Sequence, residues 1–164
     1  MGNSISNEQV RPGDYLNMSN GLTAVVIDTL CLAGGDLARE DYEKDLMVWL
    51  GQRDWTMFGL GCISFDLAEI IWDPMIFEQQ KDFLIRVTEH AIVKTNWHLL
   101  DYSPREDWAL QSIARFRTML TEFEVRHIQP DQILPLLSPY PQYTRCPEHG
   151  VYLTISGCVV CNNR

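Results

Sequence analysis

Four residues near the C-terminus have the types and spacing that metal chemistry needs. Cys146 and His149 are separated by two residues, Cys158 and Cys161 by two, and the pairs by eight. A two-residue gap lets a tight turn aim both side chains at one ion, and three cysteines with one histidine make a closed tetrahedral set for Zn2+. Pro147, Gly150 and Gly157 supply the turn conformations that such pairs require. With all four positions filled by protein, no site is left for water, so the chemistry is structural rather than catalytic. A tail this short has few other means of ordering itself, which couples metal binding to its folding.

Cys146-Pro147-Glu148-His149-Gly150 followed by Gly157-Cys158-Val159-Val160-Cys161 resembles the zinc-ribbon or zinc-knuckle family in its CPxHG and CxxC elements. The resemblance covers about twenty residues and implies a bound zinc ion and a small ribbon-like β element. Members of that family bind nucleic acid, bind proteins or staple a terminus. The short gap omits the middle portion of a longer ribbon, and the tail's bases are Arg145 and Arg164 alone, so a nucleic-acid surface is not expected here.

The remaining titratable groups form weaker patterns. Asp66, Glu69 and Asp73 fall at i, i+3 and i+7, one side of an expected short helix. Glu40, Asp41, Glu43 and Asp45 crowd the start of another, where the helix dipole favours acids. These seven carboxylates are the candidate partner-binding residues. Glu124 and His127 form one Glu-x-x-His step, but a di-iron bundle needs two such steps and two further glutamates. His127 therefore reads as a helix-end histidine, and His90 and His98 as packing or surface residues. Gly59-Leu60-Gly61 lacks the third glycine and the lysine of a phosphate loop. Five tryptophans, Trp49, Trp55, Trp72, Trp97 and Trp108, suit a helical core, and an exposed one in the acidic half would anchor a protein interface.

Charge is unevenly placed. The 164 residues carry a net charge of −9, and residues 14–73 account for most of it, with eleven acids against three bases. Such a surface repels phosphate backbones and steers basic proteins inward. The 46% apolar content supports one packed domain with a small appendage. Five cysteines, three of them in the ligand cluster and Cys31 and Cys62 in apolar surroundings, fit a reducing, cytoplasmic setting better than a disulfide framework. No apolar run is long enough to span a bilayer and no signal peptide is apparent. Met1-Gly2-Asn3-Ser4-Ile5-Ser6 matches a myristoylation pattern at Gly2, but no basic cluster or nearby cysteine supplies the second signal that stable anchoring needs.

The elements expected to position these groups are mainly helical. Residues 1–18 read as a polar arm, 19–137 as a helical domain, 138–145 as a proline-rich linker and 146–164 as the zinc-binding tail. A first helix from Ser19 or Asn20 should end at Gly34-Gly35, with a strand at 23–27 as the alternative. A second runs from near Asp36 to Leu50, with Tyr42, Leu46 and Trp49 inward. Ser64 caps a short helix to Trp72, and Asp73-Pro74 opens a long one reaching Trp97 or Leu100. Ser103 caps a further helix with a seam of Ala109, Ile113, Phe116, Leu120 and Phe123. One more turn of helix is expected at 131–137. The fold is thus an irregular bundle of about five helices with a small C-terminal β element.

The function that these features favour is a non-enzymatic protein-binding module, resembling in composition an immunity or inhibitor protein that meets a basic partner. A zinc-dependent nucleic-acid regulator and an enzyme with a spatially assembled site are the alternatives.

Overall fold

The computed structural model describes residues 3–129 and 143–163. Gly2, the turn expected at 131–137 and most of the linker at 138–145 lie outside the described residues. The fold is mainly α, with a small three-stranded sheet beside the helices.

Residues 1–18 do more than form a polar arm. β1 (Ser4–Ser6) pairs antiparallel with β2 (Tyr15–Asn17) and parallel with β3 (Phe65–Asp66), giving the order β2-β1-β3. Ile5 is buried opposite Phe65, and its polar neighbours are satisfied from the same side. The Ser4 and Ser64 hydroxyls meet at 2.9 Å, and Ser6 Oγ donates to Asp66 Oδ2 at 2.7 Å. Serine here is a partner for a second strand sixty residues away, which composition reads as loop.

β3 also replaces part of the helix expected at 64–72. Asp66, not Ser64, caps a single 3-10 turn at Leu67–Glu69, by accepting the Ala68 N–H at 2.9 Å. Ser64 is drawn off by β1. The Trp72 indole then donates to Leu67 O at 2.7 Å, fixing a bend before the next helix.

α1 (Asn20–Leu37) is the central helix, capped by Ser19, and packs on α2 (Asp41–Gly51), α3 (Phe77–Ile92), α4 (Glu106–Glu122) and the short α5 (Val159–Asn162). It is buried almost throughout from Thr23 to Gly35, as a helix apolar on every face must be. No strand forms at 23–27. The long third helix is shorter than the pattern suggests, because Lys94 and Asn96 take positive φ after Ile92 and a 3-10 turn follows at Trp97–Leu99. α4 starts at Glu106 with Arg105 at the cap position, two residues past Ser103. Its seam is as expected: Ala109, Ile113, Phe116 and Leu120 are fully buried, and so is Phe123, which stacks on Trp72. No helix among the described residues is long and apolar enough to cross a membrane.

α1 continues through Gly34-Gly35 to Leu37 instead of stopping there, and α2 accordingly begins at Asp41 rather than near Asp36. Both glycines lie under another part of the chain. A Cβ on Gly34 would collide with the Met47 side chain of α2. A Cβ on Gly35 would stand 2.5 Å from the Gly150 carbonyl oxygen and 3.3 Å from Val151 Cα. The pair that reads as a helix stop is a seat for α2 on one side and for the tail on the other. Gly21 of the same helix has nothing within 4 Å of its Cβ position. Gly35→Ala is therefore expected to cost about 1–3 kcal/mol by forcing the tail off the helix, whereas Gly21→Ala should be neutral or stabilising by up to about 1 kcal/mol. Thermal unfolding of the two variants beside wild type checks the contrast.

Candidate metal centre

The tail does not hang free. Cys146, Val151, Tyr152, Cys158, Val159 and Val160 belong to the same buried cluster as the helix faces. Its local structure is a tight turn and two single-residue bridges, Arg145 with Tyr152 and Thr154 with Gly157, followed by α5. Gly150 and Gly157 both adopt positive φ, 69° and 89°, which glycine tolerates at little cost. The first turn closes through Gly150 N–H to Cys146 O at 2.8 Å, and Cys146 N–H returns to Val151 O at 2.8 Å. At the second pair the Cys161 N–H points at Cys158 Sγ, 3.4 Å away, from the first turn of α5.

These turns bring the ligand atoms of Cys146, His149, Cys158 and Cys161 within 4.8 Å of one another. His149 Nδ1 lies 3.6, 3.5 and 3.3 Å from the sulfurs of Cys146, Cys158 and Cys161. Cys146 Sγ and Cys161 Sγ are 3.8 Å apart. That is far beyond the roughly 2.05 Å of a disulfide. A tetrahedron with metal–sulfur bonds of about 2.3 Å and metal–nitrogen bonds of about 2.0 Å has edges of about 3.5 to 3.8 Å, and the three nitrogen–sulfur separations and the Cys146–Cys161 separation lie close to those values.

His149 turns Nδ1 to the three sulfurs, and its other ring nitrogen faces Asp101 Oδ2 at 3.1 Å. With Nδ1 offered to an ion, Nε2–H donates to the carboxylate, which fixes the tautomer and raises ligand basicity. Asp101 sits in the α3–α4 connection, forty-eight residues from His149, and no spacing rule points to it. Burial opposes ionisation of Cys146, but the backbone N–H groups of His149 and Glu148 and the His149 ring outweigh it and bring this thiol down to about 7. Burial pushes the Cys158 thiol up, against the Cys161 N–H. One thiol is poised to bind as thiolate near neutral pH, and the other loses its proton on coordination.

A second buried polar hub adjoins the first and was not legible in sequence. Asp28 of α1 is fully buried; it accepts the Tyr102 hydroxyl at 2.7 Å and the Asn163 amide at 2.9 Å. The same Asn163 Nδ2 donates to Asp54 Oδ2 at 2.9 Å. Asn163 therefore ties the end of the tail to α1 and to the loop after α2, while Tyr102 follows Asp101 in the connection that holds His149. Burial drives the Asp28 carboxyl well above its ordinary range, opposed by the Tyr102 bond and reinforced by the Asp54 charge.

The seven acidic candidates are distributed differently. Asp66, Glu69 and Asp73 do not share a helix face, because the helix that would align them is replaced by β3, a 3-10 turn and a bend. Asp66 accepts Ser6 Oγ and Glu8 N–H, Glu69 accepts the Asp66 N–H at 2.5 Å, and Asp73 accepts the Met75 N–H at 2.9 Å. Glu43 is buried, accepting the Arg39 N–H at 2.6 Å with Arg86 3.6 Å away. Asp45 accepts the Tyr143 hydroxyl at 2.7 Å. Glu40 and Asp41 remain exposed at the start of α2, Asp41 beside Lys44. His127 closes its own turn, Nδ1 accepting the Glu124 N–H at 2.9 Å, and lies against Phe123.

No protein-family model, curated protein or solved structure matches this chain.

Asp101→Asn should weaken metal affinity about 10- to 100-fold while keeping the stoichiometry, measured by competition with a chromophoric chelator. The buried hub predicts a pH dependence. Because Asp28 has a raised pKa in the folded state, its contribution is fully present below its unfolded value and is lost as pH rises through the folded one. The stability of the metal-loaded protein relative to its Asp28→Asn variant should therefore fall as pH is raised above the ordinary carboxyl range, read by denaturant unfolding.

Proposed function

We propose that the tail is a structural zinc knuckle and that the protein is a non-enzymatic binding module for a basic protein. The observation that carries the zinc reading is a Cys3His set whose ligand atoms all lie within 4.8 Å of one another, with His149 Nδ1 3.3 to 3.6 Å from all three sulfurs. Three soft sulfurs and an imidazole select zinc over the hard divalent cations, and a four-fold protein shell suits a structural ion. Zinc here joins the C-terminal turns to the helices, through His149 to the α3–α4 connection and through α5 to α1.

The binding role is supported by charge. The net charge of −9 lies mostly in residues 14–73, and Glu40 and Asp41 stand exposed at one helix start within that region. An acidic face accelerates encounter with a cationic partner in the manner of an immunity or inhibitor protein.

Purified protein is expected to contain one zinc per chain by elemental analysis, and Cys161→Ser to lose it. Because the tail shares the core, chelation should lower the melting temperature while leaving most helical circular dichroism at 20 °C; an unchanged melting curve after complete removal would refute the stapling role. Affinity for a basic partner should fall as salt is raised, and salt-insensitive binding would remove the acidic-steering reading.

A further inference from the structure

Within the ligand cluster one residue stands apart in exposure. Cys146, His149 and Cys158 are buried, at 6%, 4% and 5%, whereas Cys161 is half-buried. Small solutes therefore reach the cluster first at the Cys161 sulfur. That sulfur also faces a second one across the site. Cys161 Sγ lies 3.8 Å from Cys146 Sγ, on a turn fifteen positions earlier in the chain. Cys158, its neighbour in sequence, is engaged differently, its Sγ accepting the Cys161 N–H at 3.4 Å across the first turn of α5.

Neither turn depends on an ion alone for its position. The Cys146 turn is closed by two backbone hydrogen bonds of 2.8 Å, and Val151 beside it is fully buried. On the other side Val159 and Val160, the two residues between Cys158 and Cys161, are buried as well, and α5 packs on α1. Asn162 and Asn163, directly after Cys161, hold that end through Ser156 O and through Asp28 and Asp54. Two sulfurs seated in this way stay neighbours when a metal between them leaves. A bridge between Cys146 and Cys161 also closes a longer loop than one between Cys158 and Cys161, and so constrains the unfolded chain more.

We propose that the zinc knuckle is redox-gated: a hydroperoxide oxidises Cys161, Cys146 closes a disulfide on it, and the ion is released. The proposal rests on the zinc reading of the cluster and adds how its occupancy is controlled. A metal-bound cysteine is held as thiolate, the form that attacks a peroxide. The Cys161 sulfur takes one peroxide oxygen and the O–O bond breaks. That oxygen stays on sulfur as a sulfenic acid, and the other leaves as hydroxide, which a solvent proton converts to water. The Cys146 thiolate then attacks the Cys161 sulfur, forms the S–S bond and expels the sulfenic oxygen as a second hydroxide, also protonated to water. The two thiolates have lost two electrons and the peroxide has gained them. Cys158 and His149 alone then remain, two ligands where a closed structural site needs four. A dithiol reductant reverses the bond by exchange and restores the ligand set.

The test uses the full zinc-loaded chain and hydrogen peroxide, with released metal read by a chromophoric chelator. One zinc per chain is expected to appear as the disulfide forms, and a dithiol followed by added zinc is expected to reload the site. Cleavage after Glu148 puts Cys146 on one peptide and Cys158 with Cys161 on the next, so alkylation of the remaining thiols under denaturing conditions assigns the bridge. Linked peptides with the alkyl label on Cys158 are expected, and Cys31 and Cys62 should be labelled as fully as before oxidation. A 1,3-dione present during oxidation should be captured at Cys161. Unlinked peptides with the label on Cys146, linked peptides with the label on Cys161, or capture of the dione at another ligand overturn the proposal and leave the zinc reading standing. So does zinc that stays bound through peroxide treatment, or zinc loss with a sulfinic acid that the dithiol cannot reverse. A chain that holds no zinc, either as purified or after reconstitution, overturns the zinc reading and the proposal together.

Discussion

Between the Cβ position of Gly35 and the carbonyl oxygen of Gly150 there are 2.5 Å, and no side chain fits. The tail rests its backbone on the central helix at that point, and much of the rest depends on the contact. It brings the Cys146 turn against α1, which aims Cys146 and His149 at Cys158 and Cys161. It also places Val151, Val159 and Val160 in the core instead of in water. A backbone seated on a helix needs a residue without a Cβ, and the helix accepts the roughly 1 kcal/mol propensity cost of glycine to provide it.

Ligand cluster and packing therefore form one cooperative unit. His149 is 4% exposed and bridges the cluster to Asp101, whose neighbour Tyr102 bonds Asp28. Asn163 closes the circuit from the tail to Asp28 and Asp54. Each of these polar groups has a partner from a distant segment, and removing one partner would leave another unsatisfied in a low-dielectric interior. Such networks specify one arrangement of the chain, which suits a tail that must hold a surface loop in place.

The acidic residues show how local hydrogen bonding consumes charge that sequence assigns to a surface. Glu43 returns to the backbone at the start of α2, and Asp66, Glu69 and Asp73 serve turns in the β3–α3 connection. Short acidic side chains compete well for unsatisfied N–H groups wherever a helix or turn begins. The charge remains on the protein, but its geometry is that of caps and turns.

The sequence by itself determined whatever local rules govern. The two-residue gaps of Cys146 to His149 and Cys158 to Cys161 marked the four residues that cluster closely enough to hold an ion, and the 4-3-4-3 spacing from Ala109 to Phe123 dictated the buried seam of α4. Ser19 marked the start of α1 for the same reason. Tertiary structure decided the rest. Gly34-Gly35 reads as a stop until the chains that pack on it are in view, and Ser4 to Ser6 reads as loop until Ser64 and Asp66 arrive to pair with it. Asp101 and Asp28 gain their roles from residues forty-eight and one hundred and thirty-five positions away. Periodicity and capping act within a few residues, so they are legible in order along the chain, whereas close backbone approach and buried polar pairing exist only once distant segments meet.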